Sequence, residues 1–441
     1  HASAVIFDWD PLWVSSIVFV ITYVLIVSEK INRSIIALLG AGLMISLGVL
    51  NQQTAINGVD FNTLGLLTGM MVIVAISRRS GVFQFVAIWA AKKVDARPWG
   101  ILFMLSLVTA IFSALLDNVT TVLLIAPVTL LITDELKVHP YPFLFAEIFA
   151  SNIGGTATLI GDPPNIMIGS AVNLTFNDFL VNLAPITLVI FPVTMLIIYL
   201  IWGRHMHAAD KDRERIMQFR EDQAITDIPL LKKSLLVISL VVTGFLFAHP
   251  LHLEPATIAM MGAALLLLLT SINTGAEEQS KNVHKSFAEV EWVTIFFFVG
   301  LFIVVHGIEH AGLLDIFANQ VLSWTGGDLT LTAMAIIWVS AVFSAIVDNI
   351  PFVATMIPMI ESMSSTFGDT EQLMPLWWSL ALGACLGGNG SLVGASANLI
   401  VAGFAERAGY RINFIRFMLH AFPLMLLSIV IASVYVYLRY L

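Results

Sequence analysis

Along this chain the polar positions are gathered, not interspersed. Apolar runs fall at about 12–28, 34–50, 62–78, 99–116, 119–133, 142–173 and 180–202. They resume at about 233–248, 255–272, 291–308, 330–346, 350–363, 375–402 and 417–438. Most approach or reach the roughly 18 residues at which an apolar helix spans a bilayer, and they lack the short two-residue alternation of barrel strands. The pattern predicts an all-α polytopic membrane protein. Two stretches, 99–133 and 330–363, are each interrupted at a central Asp-Asn, so each is either two crossings or a re-entrant hairpin. Either way the chain returns to the side it left. The stretch VFQFVAIWAAKKV (82–94) is short, holds Trp89 and ends in a lysine pair, and reads as an interfacial helix.

The pattern also repeats. Shifted by 231, FSALLDNVTTVLLIAPV (112–128) falls on FSAIVDNIPFVATMIPM (343–359), so Asp117 meets Asp348 and Asn118 meets Asn349. Shifted by 233, GGTATLIGDPPN (154–165) falls on GGNGSLVGASAN (387–398), so Asn165 meets Asn398. Each half then holds five crossings and one hairpin. Five is odd, so the second half enters from the opposite face. The division expected is a first inverted repeat at 1–202 (hairpin 99–136, broken helix 142–173), a charged linker at 203–232, and a second repeat at 233–441 (hairpin 330–364, broken helix 375–402). The linker reads as a solvated connection.

Glycine and proline at membrane depth are the strongest chemical signal. Pro163 and Pro164 remove two backbone donors, and Gly161 permits unusual backbone angles. Irregular backbone inside a bilayer is tolerated only where protein buries it or a cavity wets it. Paired breaks in two inverted halves point to a midplane site where half-helix ends face a ligand.

Composition agrees: 58% of the residues are apolar and 12% charged, with a mean hydropathy of +0.90. No cleavable leader pattern is expected at the start, which is His1. The single cysteine, Cys385, excludes an internal disulfide and a multi-thiolate metal cage. Where the charges fall matters more than their sum of −9. If the first crossing starts outside, all Lys and Arg but Arg439 land in the cytoplasm, and the loops at 51–61, 174–179, 249–254, 309–329 and 364–374 hold none. The expected location is the plasma (inner) membrane, with both termini outside and 203–232 in the cytoplasm.

At DNVTTVLLIAPV, NIGGTATLIGDPPN, DNIPFVATMIP and GACLGGNGSLVGASANLIVAGFAERAGY the chain resembles the arsenical pump membrane protein and pink-eyed dilution (P) protein permeases. These belong to the ion transporter superfamily, with citrate and dicarboxylate carriers and some sodium/proton antiporters. The resemblance covers nearly the whole chain and is nearest the P-protein-like branch. It implies hairpin tips set against unwound helices in a transport domain that moves against a scaffold. Dicarboxylate carriers of the superfamily carry Ser-Asn-Thr at the tip. Both tips here carry Asp-Asn, and a fixed negative charge there argues for a proton, a cation or a neutral solute.

The expected substrate or ion-binding residues are Asp117, Asn118, Thr120, Thr121, Thr156, Asp162, Asn165, Asp348, Asn349, Asn389, Ser391 and Asn398, with Thr158 nearby. Intramembrane carboxylates are expensive and commonly functional, so Asp117, Asp348, Asp162 and Glu147 are the proton-coupling candidates. Each aspartate also suits a helix cap, and Glu147 suits a pair with an interfacial base. Asparagine both donates and accepts, so it suits a hydroxylated ligand or ion, or the cross-linking of broken backbone. Cys385 reads as a packing residue, and His306, Glu309 and His310 as a solvated loop end.

These readings favour a secondary transporter, with no phosphate-binding loop for ATP hydrolysis. An intramembrane protease would not explain why every break has a twin, and a passive channel would follow the solute gradient alone. The resemblance makes proton-coupled efflux of arsenite or antimonite the leading activity, with sodium/proton exchange or anion transport as the alternative. No cofactor is expected beyond the coupling proton or sodium. The expected partners are the bilayer and a small inorganic solute or ion, without nucleic acid. A homodimer, and a separate ATPase docking on 203–232, stay open.

Overall fold

The structure is a computed structural model and describes residues 9–28, 30–272 and 274–441. These residues form helices and no strands. The first half holds α1 (Pro11–Ser28), α2 (Arg33–Ser46), a short α3 (Gln52–Asn57), α4 (Phe61–Arg78) and α5 (Val82–Lys93). The hairpin arms α6 (Pro98–Leu115) and α7 (Asn118–Glu135) follow, then α8 (Tyr141–Thr156), α9 (Pro163–Ala171), α10 (Phe176–Asn182) and α11 (Ala184–Ile201). The linker contains α12 (Asp210–Met217). The second half holds α13 (Ile228–Leu246), α14 (Ala248–Leu251), α15 (Pro255–Ser271), α16 (Ala276–Ala288), α17 (Trp292–His310) and α18 (Leu313–Thr325). Its hairpin arms are α19 (Leu329–Ile346) and α20 (Asn349–Ser362), followed by α21 (Ser364–Phe367), α22 (Met374–Gly387), α23 (Ser396–Arg407) and α24 (Phe414–Tyr440).

Side chains start many of these helices. Asn32, Asp60, Asp117, Asp227, Asp328, Asp348 and Asn413 each accept a backbone N–H of the first turn. Among the described residues, nine helices are long and apolar enough to cross a bilayer, including α6 and α7. At 18 residues each, these two are about 27 Å long. Their junction nevertheless lies inside the protein. Leu116 and Asp117 are 4% exposed, and the Asn118 N–H donates to the Gly161 carbonyl at 3.0 Å. The second tip repeats this, with the Asn349 N–H donating to the Gly394 carbonyl at 3.3 Å. The fold is therefore all-α, with two inverted repeats. Each has five crossings, one re-entrant hairpin and one broken helix (α8 with α9, α22 with α23).

The halves interlock. α2 packs on α17 and α4 on α15, each pair joining one half to the other. The second hairpin arms cross as well: α7 packs on α23 and α20 on α9, while α8 meets α22. Glycine permits the closest approaches. A Cβ on Gly154 would lie 2.2 Å from the Ala110 oxygen, and one on Gly387 would lie 2.6 Å from the Ala341 Cα and oxygen.

Two regions differ from the sequence expectation. The segment 309–329 is not simply a loop: α18 occupies most of it, burying Leu314 and Ala318, and its register repeats that of α5. An amphipathic helix with an acidic first turn gives no membrane-spanning signal. The linker is strapped down and not merely solvated. Arg213 donates to the Asp95 carbonyl at 3.0 Å, Arg215 to the Glu135 carbonyl at 3.1 Å, and Lys92 to the Phe219 carbonyl at 3.0 Å. Lys92 also bonds Glu221, and that hydrogen bond holds the Glu221 carboxyl below its usual range. Gly81, at φ +81°, is where the strap passes closest: a Cβ there would lie 1.7 Å from the Ala224 oxygen.

Candidate binding site at the two helix breaks

Both breaks are built on one plan. In the first, the chain leaves α8 at Thr156 and re-enters helix at Pro163, and residues 157–162 fold back so tightly that no side chain fits at the crossing. A Cβ on Gly155 would lie 2.4 Å from the Gly161 oxygen. The carbonyls freed by the break need donors. Asn165 supplies them, its Nδ2 donating to the Thr156 and Thr158 carbonyls at 3.1 and 2.9 Å. Asn398 does the same in the second break, donating to the Gly388 and Ser391 carbonyls at 2.7 and 2.8 Å. Hydroxyls clip each break to its own hairpin. Ser113 donates to the Ser151 carbonyl and Ser344 to the Ala384 carbonyl, at 2.5 and 2.7 Å. Thr158 donates to the Ala114 carbonyl and Ser391 to the Ala345 carbonyl, at 2.6 and 2.5 Å. Thr156 donates back to the Asn152 carbonyl at 2.7 Å. The hydroxyls of Thr156, Thr158 and Ser391 thus hold backbone.

Between the breaks lies a cluster drawn from both halves. Asn349 Nδ2 donates to Asp162 Oδ1 at 3.4 Å, and Cys385 Sγ to Asn165 Oδ1 at 3.4 Å. Asn152 Nδ2 donates to Asn389 Oδ1 and Asn398 Oδ1, both at 3.0 Å, and its own Oδ1 accepts from Asn118 Nδ2 at 3.2 Å. Every one of these side chains is at most 2% exposed. Asp162 stands at the N-cap position of α9, but its side chain makes no cap bond and faces the other half instead. Asn118 Oδ1, Thr121 Oγ1, Asp162 Oδ2 and Asn389 Nδ2 have no protein partner. Buried polar groups are nearly always satisfied, so several orphans in one neighbourhood mark a place for a ligand or water. Sequence reading missed Asn152. Its signal was present: the 233 shift places it on Cys385, and both reach across to the other half's capping asparagine.

The two hairpin tips differ. Asp117 is 4% exposed and closes on its own helix, accepting the Thr120 N–H at 2.7 Å and the Thr120 hydroxyl. Asp348 accepts the Ile350 N–H at 3.0 Å, the Ser396 hydroxyl at 2.9 Å and Arg33 Nη1 at 2.7 Å. Arg33 stands at the start of α2, also donates to Ser396 at 2.8 Å, and lies over the Phe297 ring. The fixed negative charge expected at this tip is therefore offset by the Arg33 guanidinium, which weakens the sequence argument against an anionic substrate at this tip. A cavity of about 340 Å³ reaches this tip, lined by Arg33, Glu291, Thr294, Asp348 and Ser396.

Two further groups stand apart. Glu147 is 1% exposed, bonds the Thr129 hydroxyl and leaves Oε2 without a partner. Among the described residues no base pairs with it, so the alternative reading of an interfacial ion pair has no support and Glu147 stays a proton-coupling candidate. His306 Nδ1 and Glu309 lie 3.0 Å apart at the other end of α17, where with Asp60 and Glu361 they line a cavity of about 370 Å³. His306 and Glu309 thus line an acidic pocket, while Glu309 and His310 are exposed at the helix end, in keeping with a solvated loop end.

Comparison with known proteins gives one answer at three distances. A family model described as "Citrate transporter" matches residues 23–383. An uncharacterized transporter of Mycobacterium tuberculosis is 42% identical over 428 residues, covering 96% of this chain and 97% of that protein. The P protein of Mus musculus is 33% identical over 494 residues, covering 94% of this chain and 58% of that protein. The crystal structure of the Alcanivorax borkumensis YdaH transporter, at 14% identity, shares the fold with a TM-score of 0.60 over 97% of this chain and 99% of that one.

Proposed function

The chain belongs to the citrate transporter family of the ion transporter superfamily and is a multi-pass membrane transporter, and on that premise we propose that it works by proton-coupled alternating access. The proposed cargo is arsenite or antimonite, leaving the cell as the neutral trihydroxide while a proton enters. The observation that carries this reading is the cluster between the breaks. Its orphan atoms are amide, hydroxyl and carboxylate groups around a single acid, Asp162. Such a set suits the three hydroxyls of an uncharged solute, and one carboxylate can hold the coupling proton. Asn118, Asn152, Asn349 and Asn389 bind the solute, Asn165 and Asn398 hold the breaks open, and Asp162 carries the proton. Asp117 and Asp348 support the tips. The distribution of Lys and Arg sets the linker and the Arg33 end in the cytoplasm, so the cavity at Asp348 is the inward vestibule.

One observation favours a second reading. Arg33 at the second tip offers a guanidinium to a carboxylate, so a small organic anion could exchange with Asp348 as its partner. Uptake into proteoliposomes that are acid inside separates the readings. Arsenite or antimonite accumulation that collapses with the gradient supports the first. Accumulation of a citrate-like carboxylate, lost in Arg33→Leu, supports the second. Accumulation of sodium alone rejects both and moves the chain to cation exchange.

A further inference from the structure

A large cavity lies away from the helix breaks. It is a groove of about 740 Å³ between α1, α18 and the hairpin arms α19 and α20. Its walls are almost wholly apolar, among them Phe19, Val24, Val339 and Phe352. The few polar groups on it are already engaged. The Tyr23 hydroxyl donates to the Pro351 carbonyl at 2.8 Å and lies 2.8 Å from Thr355 Oγ1, and the Thr325 hydroxyl bonds the Val321 carbonyl. Water would find almost no partners here, and apolar cavities of this kind stay dry and take apolar guests.

We propose that this groove is a binding site for one acyl chain of a bilayer phospholipid. Three features select that occupant. First, α1 is long and apolar enough to cross a bilayer, α19 is the equally apolar first arm of the re-entrant hairpin, and both leave apolar side chains open along the groove: Val24 is 62% exposed and Phe343 50%. Second, its length fits. From Ala335 to Val347 along α19 the groove runs about 18 Å at the rise of an α-helix, close to the roughly 15 Å of one leaflet's hydrocarbon. Third, it has a head end. Gln320 and Trp324 on the amphipathic α18 stand at one mouth, and Trp324 is 77% exposed, as suits an indole at the headgroup level. The other end closes on Val27 and Val347, beside the cavity of Arg33 and Asp348. The lipid tail thus lies between α1 and the second hairpin, and its methyl end touches the residue before the tip.

The test uses the intact chain purified in mild detergent and analysed by native mass spectrometry. Wild type retains a phospholipid. Val24→Trp and Ala335→Trp narrow the groove from opposite walls. Displacing two methylene groups from either wall lowers lipid occupancy about tenfold. Leu188→Trp, on an exposed face of α11 away from the groove, retains lipid as wild type does. Melting curves taken alongside identify any variant that has lost its fold, and each groove wall is tested by its own variant. A wild type without bound lipid, or folded groove variants that retain it as wild type does, overturns the proposal.

Discussion

The two hairpin-and-break units share a backbone and differ in chemistry. Each break has the same glycine crossing, the same asparagine brace and the same pair of hydroxyl clips. Yet Asp162 in the first corresponds to Ala395 in the second, Asn152 to Cys385, and the self-capped Asp117 to the Arg33-paired Asp348. Two kinds of asymmetry are mixed here. Under the proposed alternating access the halves of an inverted repeat exchange shapes, so a difference in exposure between the tips would belong to one conformation. A difference in residue type is permanent. The carboxylate at the break is of the second kind, so the chain keeps a symmetric frame and places its central acid on one side only.

Removing that acid should have the largest effect. A gradient of one pH unit coupled to one proton supports about tenfold accumulation of a neutral solute. Asp162→Asn keeps an acceptor for Asn349, so the fold is expected to stand while accumulation in acid-inside proteoliposomes falls to equilibration. Undiminished, gradient-driven accumulation would remove Asp162 from the coupling role.

Next in size is the contrast between the two glycine crossings. A Cβ on Gly155 meets backbone oxygen at 2.4 Å, whereas one on Gly388 meets it at 3.1 Å. Gly155→Ala must move the break and should destabilise by about 3 kcal/mol or more, against about 1 kcal/mol for Gly388→Ala. Chemical denaturation of the two variants in the same detergent gives the comparison, and equal losses would mean that the breaks are equally tight. Smaller again is the tip pair. The side chains of Arg33 and Asp348 are 24% and 11% exposed, so solvent screens the pair and a fully buried figure does not apply. Arg33→Leu should cost about 1–2 kcal/mol by leaving Asp348 without its cation. In a double-mutant cycle, Asp348→Leu should cost less when added to Arg33→Leu than when made alone, the remainder being its lost cap of about 1 kcal/mol, and simple additivity would show the pair to be uncoupled.

Much of this was legible in the sequence because membrane depth makes irregular backbone conspicuous. Gly161, Pro163 and Pro164 in an apolar run forced a break, and the 231 and 233 shifts found its twin and both tips. What escaped depended on tertiary position. α18 and the docked linker helix α12 are amphipathic or charged, so hydropathy is silent about them. Arg33 counted as one more loop cation, although it folds back onto a tip 315 positions away. Thr156 and Ser391 looked like site oxygens because side-chain direction cannot be read before the partner carbonyl is known. The pairing of α2 with α17 and α4 with α15 joins the halves across long stretches of sequence, and no local pattern encodes it.

The smallest predicted effect tests the symmetric frame itself. Cys385 donates a thiol to Asn165 Oδ1 at 3.4 Å, where its counterpart Asn152 donates an amide to Asn398 Oδ1 at 3.0 Å. If the two positions are equivalent in backbone as well as in register, Cys385→Asn places a stronger donor toward an acceptor already in line. The added amide must fit a fully buried site, which opposes the gain, so the net change in stability should stay within about 1 kcal/mol. Cys385→Leu offers no donor and should cost more, about 1–3 kcal/mol, by leaving the Asn165 oxygen unsatisfied. Thermal unfolding of the two variants reads the difference directly. If asparagine proves as damaging as leucine, the cross-half bond at this position is incidental, and the correspondence between the two breaks ends at their backbone.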